Sequence, residues 1–233
     1  MAISIYDMDR TITRGGTWGP WLRFWLRRHA PWRIVLLPLL GLAGAAYATR
    51  IIDRGALKAT AHRLLMGRRL PRSLVMAAAA DYADKVVANG CFEAALEQIA
   101  ADRAAGCQLV LATASNAYYA EAIGTRLGFD AVIATPSRWI DNQLDWRLGD
   151  ANCYGQEKRK RVAAWLDQNA KVGDPLRFHS DHQSDAPVFL LVSARGGKAF
   201  ATNATAELTA LAQKNGWPQV IWGQPRKSLF ERA

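Results

Sequence analysis

The chain has 233 residues, half of them apolar and 21% charged, with a formal net charge of +10. This composition excludes an intrinsically disordered chain, and the length suffices for one domain with an insertion or for two small domains. The three cysteines lie far apart and show no metal-ligand spacing. That pattern favours reduced thiols in the cytoplasm over a disulfide framework.

The positive charge is concentrated in one early segment. Residues 14–72 contain twelve basic residues and a single acid, Asp53, whereas the rest of the chain is close to neutral. We expect such a segment to face an anionic partner, either a membrane surface or nucleic acid. Because no nucleic-acid-binding module is recognisable, nucleic acid is not expected as a partner.

The first predicted element is a short buried strand over residues 3–6, which is followed by Asp7, Asp9 and Thr11. If the chain turns there, both carboxylates point into one pocket at the carboxyl edge of a parallel sheet, where ligands bind. One carboxylate can then act as a nucleophile while the other transfers protons and a divalent cation screens their repulsion. A lone Asp-x-Asp is equally typical of a solvated turn, so this interpretation needs partners elsewhere in the chain.

An aromatic and apolar stretch comes next. Trp18, Trp21 and Trp25 recur at helical spacing among arginines, and residues 34–48 carry no charge. A helix of that length measures about 22 Å, less than the ~30 Å of a bilayer core, and a single crossing would separate Asp7 from the later motifs. Tryptophan beside arginine favours a helix lying in the membrane interface. A re-entrant hairpin and a buried tryptophan-rich helical core remain alternatives.

The remainder alternates between helices and strands. This alternation predicts an α/β fold with a doubly wound parallel sheet, in which residues 14–88 are inserted after the first strand. The predicted helices cover residues 74–87, 92–105, 118–127 and 156–169, the predicted strands cover 108–112, 131–134, 176–179, 197–201 and 218–222, and a β-hairpin is predicted between 135 and 149.

Three later motifs follow strands or open helices. Thr113 and Ala114 follow a strand, where a hydroxyl and backbone amides suit an anionic oxygen. Lys158 lies at the start of the helix predicted from residue 156, and Asp181 and Asp185 follow another strand. Each motif alone is common, but their order on alternating elements points to one phosphate-binding site shared with Asp7.

On these residues the sequence resembles the haloacid dehalogenase superfamily of phosphohydrolases. The run DMDRT at 7–11, Thr113, Lys158 and the run SDHQSD at 180–185 match its four motifs in order, so the resemblance spans nearly the whole chain. It implies a Rossmann-like catalytic core of residues 1–13 and 89–233 with a helical C1-type cap of residues 14–88.

The resemblance also implies a mechanism and a cofactor. Asp7 attacks phosphorus to form an aspartyl-phosphate, Asp9 transfers the protons, and Mg²⁺ is bound. An acid at position 9 implies a phosphatase or phosphomutase rather than a dehalogenase or a transport ATPase. The other implied roles are phosphate binding by Thr113, Ala114 and Lys158, metal binding by Asp7, Asp9 (through its backbone carbonyl) and Asp181, and support of the metal shell or of Lys158 by Asp185.

The branch within the superfamily is suggested by the inserted segment. The layout resembles the phosphoserine phosphatase-like branch, yet Gly16 replaces the glutamate that binds the substrate amine there. Residues 18–28 and 35–44 instead resemble the cap of bacterial C-type phosphatidylglycerophosphate phosphatases. The leading hypothesis is therefore a Mg²⁺-dependent phosphatase of a lipid phosphate, peripheral on the cytoplasmic face of the inner membrane. A soluble phosphatase of small metabolites, a phosphomutase and a non-catalytic phosphate-binding module remain alternatives, and the roles of Arg10 and His182 are open.

Overall fold

A computed structural model describes residues 1–223, and a six-stranded sheet lies at its centre. The strands within residues 1–223 are β1 (Ile3–Tyr6), β2 (Arg69–Pro71), β3 (Gln108–Asn116), β4 (Ala131–Thr135), β5 (Ser137–Ile140), β6 (Gln143–Leu148), β7 (Leu176–Ser180), β8 (Lys198–Thr202) and β9 (Gln219–Val220). The central sheet has the order β4-β3-β1-β7-β8-β9, and every neighbouring pair is parallel. The predicted parallel α/β fold is confirmed.

Helices flank this sheet and connect its strands. Each helix predicted after residue 72 is present, with ends that differ by a few residues from the prediction. The α-helices are α1 (Trp18–His29), α2 (Leu37–Ala48), α3 (Arg54–Ala61), α4 (Arg72–Asn89), α5 (Glu93–Ala104), α6 (Ala117–Leu127), α7 (Gln156–Asn169), α8 (Ala186–Ala194) and α9 (Ala206–Asn215), with 3₁₀ turns at Pro31–Leu36 and Gln183–Asp185 and a π-helical turn at His62–Met66.

The strand order brings the predicted motifs together. Strand β1 lies between β3 and β7, so that Tyr6 pairs with Leu111 on one side and His179 on the other. The backbone N–H of Asp7 still donates to the carbonyl of His179, at 2.8 Å. The chain therefore leaves three adjacent parallel strands at one edge of the sheet, which is where ligands bind in such folds.

The tryptophans of α1 face the protein interior. Trp21 and Trp25 are 0% and 1% exposed, and Trp21 packs against the rings of Tyr82 and Tyr119. The prediction that these tryptophans lie at a membrane interface is therefore wrong for α1. Their helical spacing reflects a packed aromatic core, which is the more common reason for such a stripe.

The inserted segment is joined to the rest of the protein by a second sheet. The predicted hairpin is present as β5 and β6, and β2 adds to it as an antiparallel edge strand that the sequence did not predict. Pro71 is tolerated there because an edge strand leaves one row of backbone groups unpaired. One hydrophobic cluster also contains Trp21 of the insertion and Leu111 of the central sheet. The division into a core of residues 1–13 and 89–233 and a cap of residues 14–88 remains a prediction.

Residues 31–48 lie on the surface of the protein. Together with the four residues that follow them they form residues 31–52, which we call the exposed apolar segment. Neither the 3₁₀ turn nor α2 contains a buried residue. By length and composition alone, Pro31–Ala48 is apolar enough to cross a membrane. Among residues 1–223, thirteen large hydrophobic side chains are exposed, and eight of them lie between Trp32 and Ile51. The apolar surface is thus concentrated in one patch rather than scattered, which is typical of an interaction surface.

Burial of His62 makes the stability of the fold depend on pH. Burial lowers the pKa of His62 to about 4, although nearby Asp145 opposes the shift. Between pH 6.5 and pH 4 the unfolded chain therefore binds a proton at this histidine that the folded chain does not, so the free energy of unfolding falls as the pH falls. The expected contribution is about 2 kcal/mol at pH 5. Urea unfolding at pH 7.5 and pH 5 should show a smaller loss for His62→Gln than for the wild type, whereas an equal loss would contradict the assignment.

Candidate active site

The centre of the site is a lysine placed between two carboxylates. Lys158, in the first turn of α7, lies 2.8 Å from Asp7 and 2.7 Å from Asp185, measured from Nζ to the nearest carboxylate oxygens, and all three are buried. Burial alone would lower the pKa of Lys158, but Asp185 and Asp7 raise it above its usual range, so the amine stays protonated. Asp185 also accepts a hydrogen bond from the Ser180 hydroxyl at 2.7 Å. Asp185 therefore contacts Lys158, one of the two groups that it was predicted to support, and its role stays a prediction.

A second group of acceptors lies on the other side of Asp7. The Thr11 hydroxyl is 3.4 Å from Asp7 Oδ2 and 3.5 Å from Asp181 Oδ1, so the two carboxylates face the same space. Burial raises the pKa of Asp7 to about 7 and that of Asp181 well above its usual range, with neighbouring carboxylates adding to both shifts. Two buried carboxylates whose charge is disfavoured in this way are suited to a cation between them.

This donor set fits Mg²⁺. In residues 1–223 no three His, Cys, Asp or Glu side chains form a metal-ligand cluster. Mg²⁺ does not require one, since it usually takes one or two carboxylates and keeps several waters. Asp7 and Asp181 can supply the two carboxylates, and the backbone carbonyl of Asp9 the third protein oxygen. The structure therefore agrees with a Mg²⁺ site of hard oxygen ligands.

The side chain of Asp9 is held by hydrogen bonds of its own, separate from those of Asp7 and Asp181. Its Oδ1 accepts from the backbone N–H of Thr17 at 2.8 Å, and its Oδ2 accepts from the Ser115 hydroxyl at 3.2 Å. The backbone N–H of Ser115 in turn donates to the hydroxyl of Thr113 at 3.1 Å. Asp9 thus joins the insertion to the irregular end of β3, and it is held in one orientation by donors from both.

A lysine from the insertion contacts residues 113–115 at the irregular end of β3, which we call the phosphate loop. Lys58, in α3, is buried and donates to the carbonyl of Ala114 and, at 2.7 Å, to the side chain of Asn152. The Thr135 hydroxyl donates to the same Ala114 carbonyl at 2.8 Å. Burial, together with the charge of Arg54, lowers the pKa of Lys58 to about 7. The insertion therefore places an amine beside the residues that were predicted to bind phosphate, and its charge depends on pH near neutrality.

The predicted site residues lie in three hydrogen-bonded groups: Asp7, Lys158, Asp181 and Asp185 in the first, Asp9 and Thr113 in the second, and Ala114 in the third. The structure also adds residues that the sequence did not single out. Ser115 and Lys58 are the main additions. Ser115 follows Thr113 and Ala114 directly, and Lys58 is the one lysine among the arginines of residues 14–72. His182 accepts from the backbone N–H of Ser184 at 3.1 Å, so that it shapes its own turn. Arg10 has a left-handed backbone with a φ of 62°, beside Asp181.

Comparison with solved structures shows the same fold in several proteins. A protein of unknown function from Bordetella pertussis Tohama I superposes with a TM-score of 0.81 at 21% identity, covering 95% of this chain and 99% of that one. A phosphoserine phosphatase in the form of a phospho-aspartyl intermediate analogue gives 0.60 at 15% identity, with coverages of 95% and 93%. Cytosolic 5'-nucleotidase IIIB bound to cytidine gives 0.63 at 13% identity, with coverages of 96% and 80%.

No curated protein matches the sequence. The model of the family described as haloacid dehalogenase-like hydrolase, however, matches residues 5–190, a range that contains every predicted site residue. This match confirms the predicted hydrolase family, and phosphatases are among the structural neighbours that share its fold. The chain belongs to the haloacid dehalogenase-like hydrolase family.

Proposed function

We propose that this protein is a Mg²⁺-dependent phosphomonoesterase that acts on a lipid phosphate at a membrane surface. The observation that carries the phosphatase assignment is the position of Asp7. Its carboxylate lies between the amine of Lys158 and the space shared with Asp181, while Asp9 is held nearby by two hydrogen bonds. A nucleophile, a proton donor and phosphate-neutralising cations are then present together, as phosphoryl transfer requires.

In the first step, a carboxylate oxygen of Asp7 forms a bond to phosphorus as the ester P–O bond breaks. Asp9 gives a proton to the departing alcohol oxygen. Lys158, the hydroxyl of Thr113 and the backbone of Ala114 hold the phosphoryl oxygens, whose negative charge would otherwise repel the attacking carboxylate. Mg²⁺, when bound, neutralises further charge on the phosphoryl group and keeps Asp7 ionised.

In the second step, water attacks the phosphorus of the aspartyl-phosphate, and Asp9 takes the proton of that water. The bond between Asp7 and phosphorus breaks, so that phosphate is released and the free carboxylate is restored. The same carboxyl group thus acts first as an acid and then as a base. The hydrogen bonds from Thr17 and Ser115 hold it in position for both steps.

The exposed apolar segment supports the lipid part of the proposal. Its apolar side chains include Val35 and Leu42, which are 70% and 69% exposed. Trp32 is also exposed, with the guanidinium of Arg33 4.5 Å from its ring centroid. Because residues 14–72 are strongly basic, the patch combines apolar side chains, an exposed tryptophan and positive charge, which suits a surface of anionic lipid.

Helices on both sides of this segment argue for a helix in the interface rather than one that spans the bilayer. Before it, Trp21 of α1 donates its indole N–H to the sulfur of Met66, 3.3 Å away. After it, Lys58 of α3 contacts the phosphate loop. Since the chain leaves and re-enters the same folded body, a single crossing is incompatible with this fold. The segment can lie in the headgroup region or enter one leaflet and return.

The substrate class can be tested by phosphate release from a panel of esters. We expect the purified protein to hydrolyse phosphatidylglycerophosphate in mixed micelles with a kcat/KM at least ten-fold above that for phosphoserine and other soluble monoesters. Gly16 offers no charge for the amine of phosphoserine, and the exposed apolar segment favours a micelle-bound substrate. A preference for a soluble ester would contradict the lipid assignment and favour a phosphatase of small metabolites.

The nucleophile can be tested by Asp7→Asn. The amide is nearly isosteric but cannot attack phosphorus, so we expect phosphate release to fall by at least about 10⁴-fold while binding to anionic vesicles is unchanged. Chelation of Mg²⁺ should abolish release by the wild type as well. The exposed substitution Asp141→Asn is the matched control and should retain activity. Substantial turnover by Asp7→Asn would overturn the mechanism.

Membrane binding can be tested with a pair of exposed leucines. Leu42 in the exposed apolar segment and Leu190 in α8 are 69% and 54% exposed, so glutamate at either position should leave the fold intact. We expect Leu42→Glu to weaken sedimentation with anionic vesicles by about ten-fold, because one apolar contact is lost and a repelling charge is gained. Leu190→Glu should bind like the wild type, and an equal effect of both would place the docking surface elsewhere.

A further inference from the structure

A cleft of about 510 Å³ opens between the exposed apolar segment and the loop that precedes α7. Its lining includes the two arginines Arg50 and Arg54, the two tyrosines Tyr47 and Tyr154, and one acid, Asp53. The residues assigned above to catalysis and phosphate binding are not part of this lining. The cleft is therefore a separate feature whose chemistry the proposed reaction does not yet use.

Arg50 and Arg54 give the cleft positive charge that can bind an anionic ligand. The carboxylate of Asp53 accepts from the backbone N–H of Ala56 at 2.7 Å, and so it is already engaged as the N-cap of α3. Within residues 1–223, neither Arg50 nor Arg54 forms an ion pair with a carboxylate. The guanidinium of Arg54 lies 4.5 Å from the ring centroid of Tyr154, which limits its orientations. Two exposed guanidinium groups without a carboxylate partner are suited to a phosphate.

The cleft adjoins the active site through two short segments. Arg54 precedes Lys58 by one turn of α3, and Lys58 contacts the carbonyl of Ala114 in the phosphate loop. On the opposite wall, Tyr154 precedes Lys158 by four residues. The cleft is therefore connected to the residues around Ala114 by one turn of α3 and to Lys158 by the four residues that precede it.

We propose that this cleft binds a second phosphate of the substrate, a phosphodiester linked to the phosphomonoester that Asp7 attacks. This inference rests on the proposed phosphatase function and defines its substrate class more narrowly. Arg54 and Arg50 hold the phosphodiester oxygens, and Tyr154 keeps Arg54 in place. The apolar side chains of Ala48 and Ile52, which also line the cleft, contact the carbon atoms next to the diester. Phosphomonoesters without the second phosphate lack these contacts and bind more weakly.

Binding to the Asp7→Asn protein separates this inference from the catalytic one, because the ligand is not consumed. The probes are glycerol 3-phosphate, with one phosphate, and its water-soluble counterpart glycerophosphoglycerol phosphate, which adds an internal phosphodiester. In titration calorimetry with Mg²⁺, we expect the two-phosphate probe to bind at least ten-fold more tightly. A further arm with short-chain phosphatidylglycerophosphate below its micelle concentration measures what acyl chains add to the same site.

Variants in the Asp7→Asn background identify the residues responsible. Arg54→Ala should remove most of the preference for the two-phosphate probe, and Arg50→Ala should reduce it. Arg68→Ala removes one exposed charge of the insertion outside the cleft and should retain the preference. Equal affinity of the two probes would overturn the proposal. An equal loss of affinity for both probes in Arg54→Ala would also overturn it, because Arg54 would then act only through Lys58. If the phosphatase assignment itself is wrong, the protein with Asp7 intact will release no phosphate, and that result is independent of the binding measurements.

Discussion

The ion pairs of one buried lysine hold the catalytic edge of this protein together. The amine of Lys158 contacts Asp7 after β1 and Asp185 before α8, so that three segments far apart in the sequence are joined at one point. A buried cation is costly unless it is paired, and here two carboxylates pair with it. Asp181 adds a third acid, which leaves an excess of negative charge. Burial raises the pKa values of Asp7 and Asp181, and neighbouring carboxylates add to both shifts; a bound divalent cation would offset the negative charge.

The inserted segment contributes to the site rather than only covering it. The backbone N–H of Thr17 fixes one oxygen of Asp9, and the amine of Lys58 reaches the carbonyl of Ala114. Tyr82 in turn donates its hydroxyl to the carbonyl of Thr17 at 2.7 Å. The carboxylate that we propose transfers protons is therefore oriented by a segment that the aromatic core around α1 holds in place. Packing of tryptophans and tyrosines in the insertion becomes a condition for catalytic geometry at the sheet edge.

The sequence was sufficient to predict the sheet edge, because the motifs around Asp7, Thr113 and Asp181 lie at the ends of strands and parallel strands end on the same side. It was not sufficient for Lys58 or Ser115, because their roles depend on which helix or side chain lies opposite, and no local pattern encodes that. Trp21 shows the same limit. Its helical spacing predicted an apolar face correctly, but spacing does not tell whether that face meets a membrane or another helix, and here it meets Tyr82 and Tyr119.

The exposed apolar segment and the cleft are parts of one continuous surface, since Tyr47 and Ala48, the last two residues of the apolar helix α2, also line the cleft. If α2 lies among lipid headgroups, Arg50 and Arg54 come to the depth at which lipid phosphates are found. Docking of α2 would then bring the protein to the membrane and also orient the opening of the site toward the membrane. Helix α3, which carries Arg54 at its start and Lys58 one turn later, would then connect the docked surface with the phosphate loop. A substrate drawn from the membrane would thus meet positive charge continuously from the surface to Asp7.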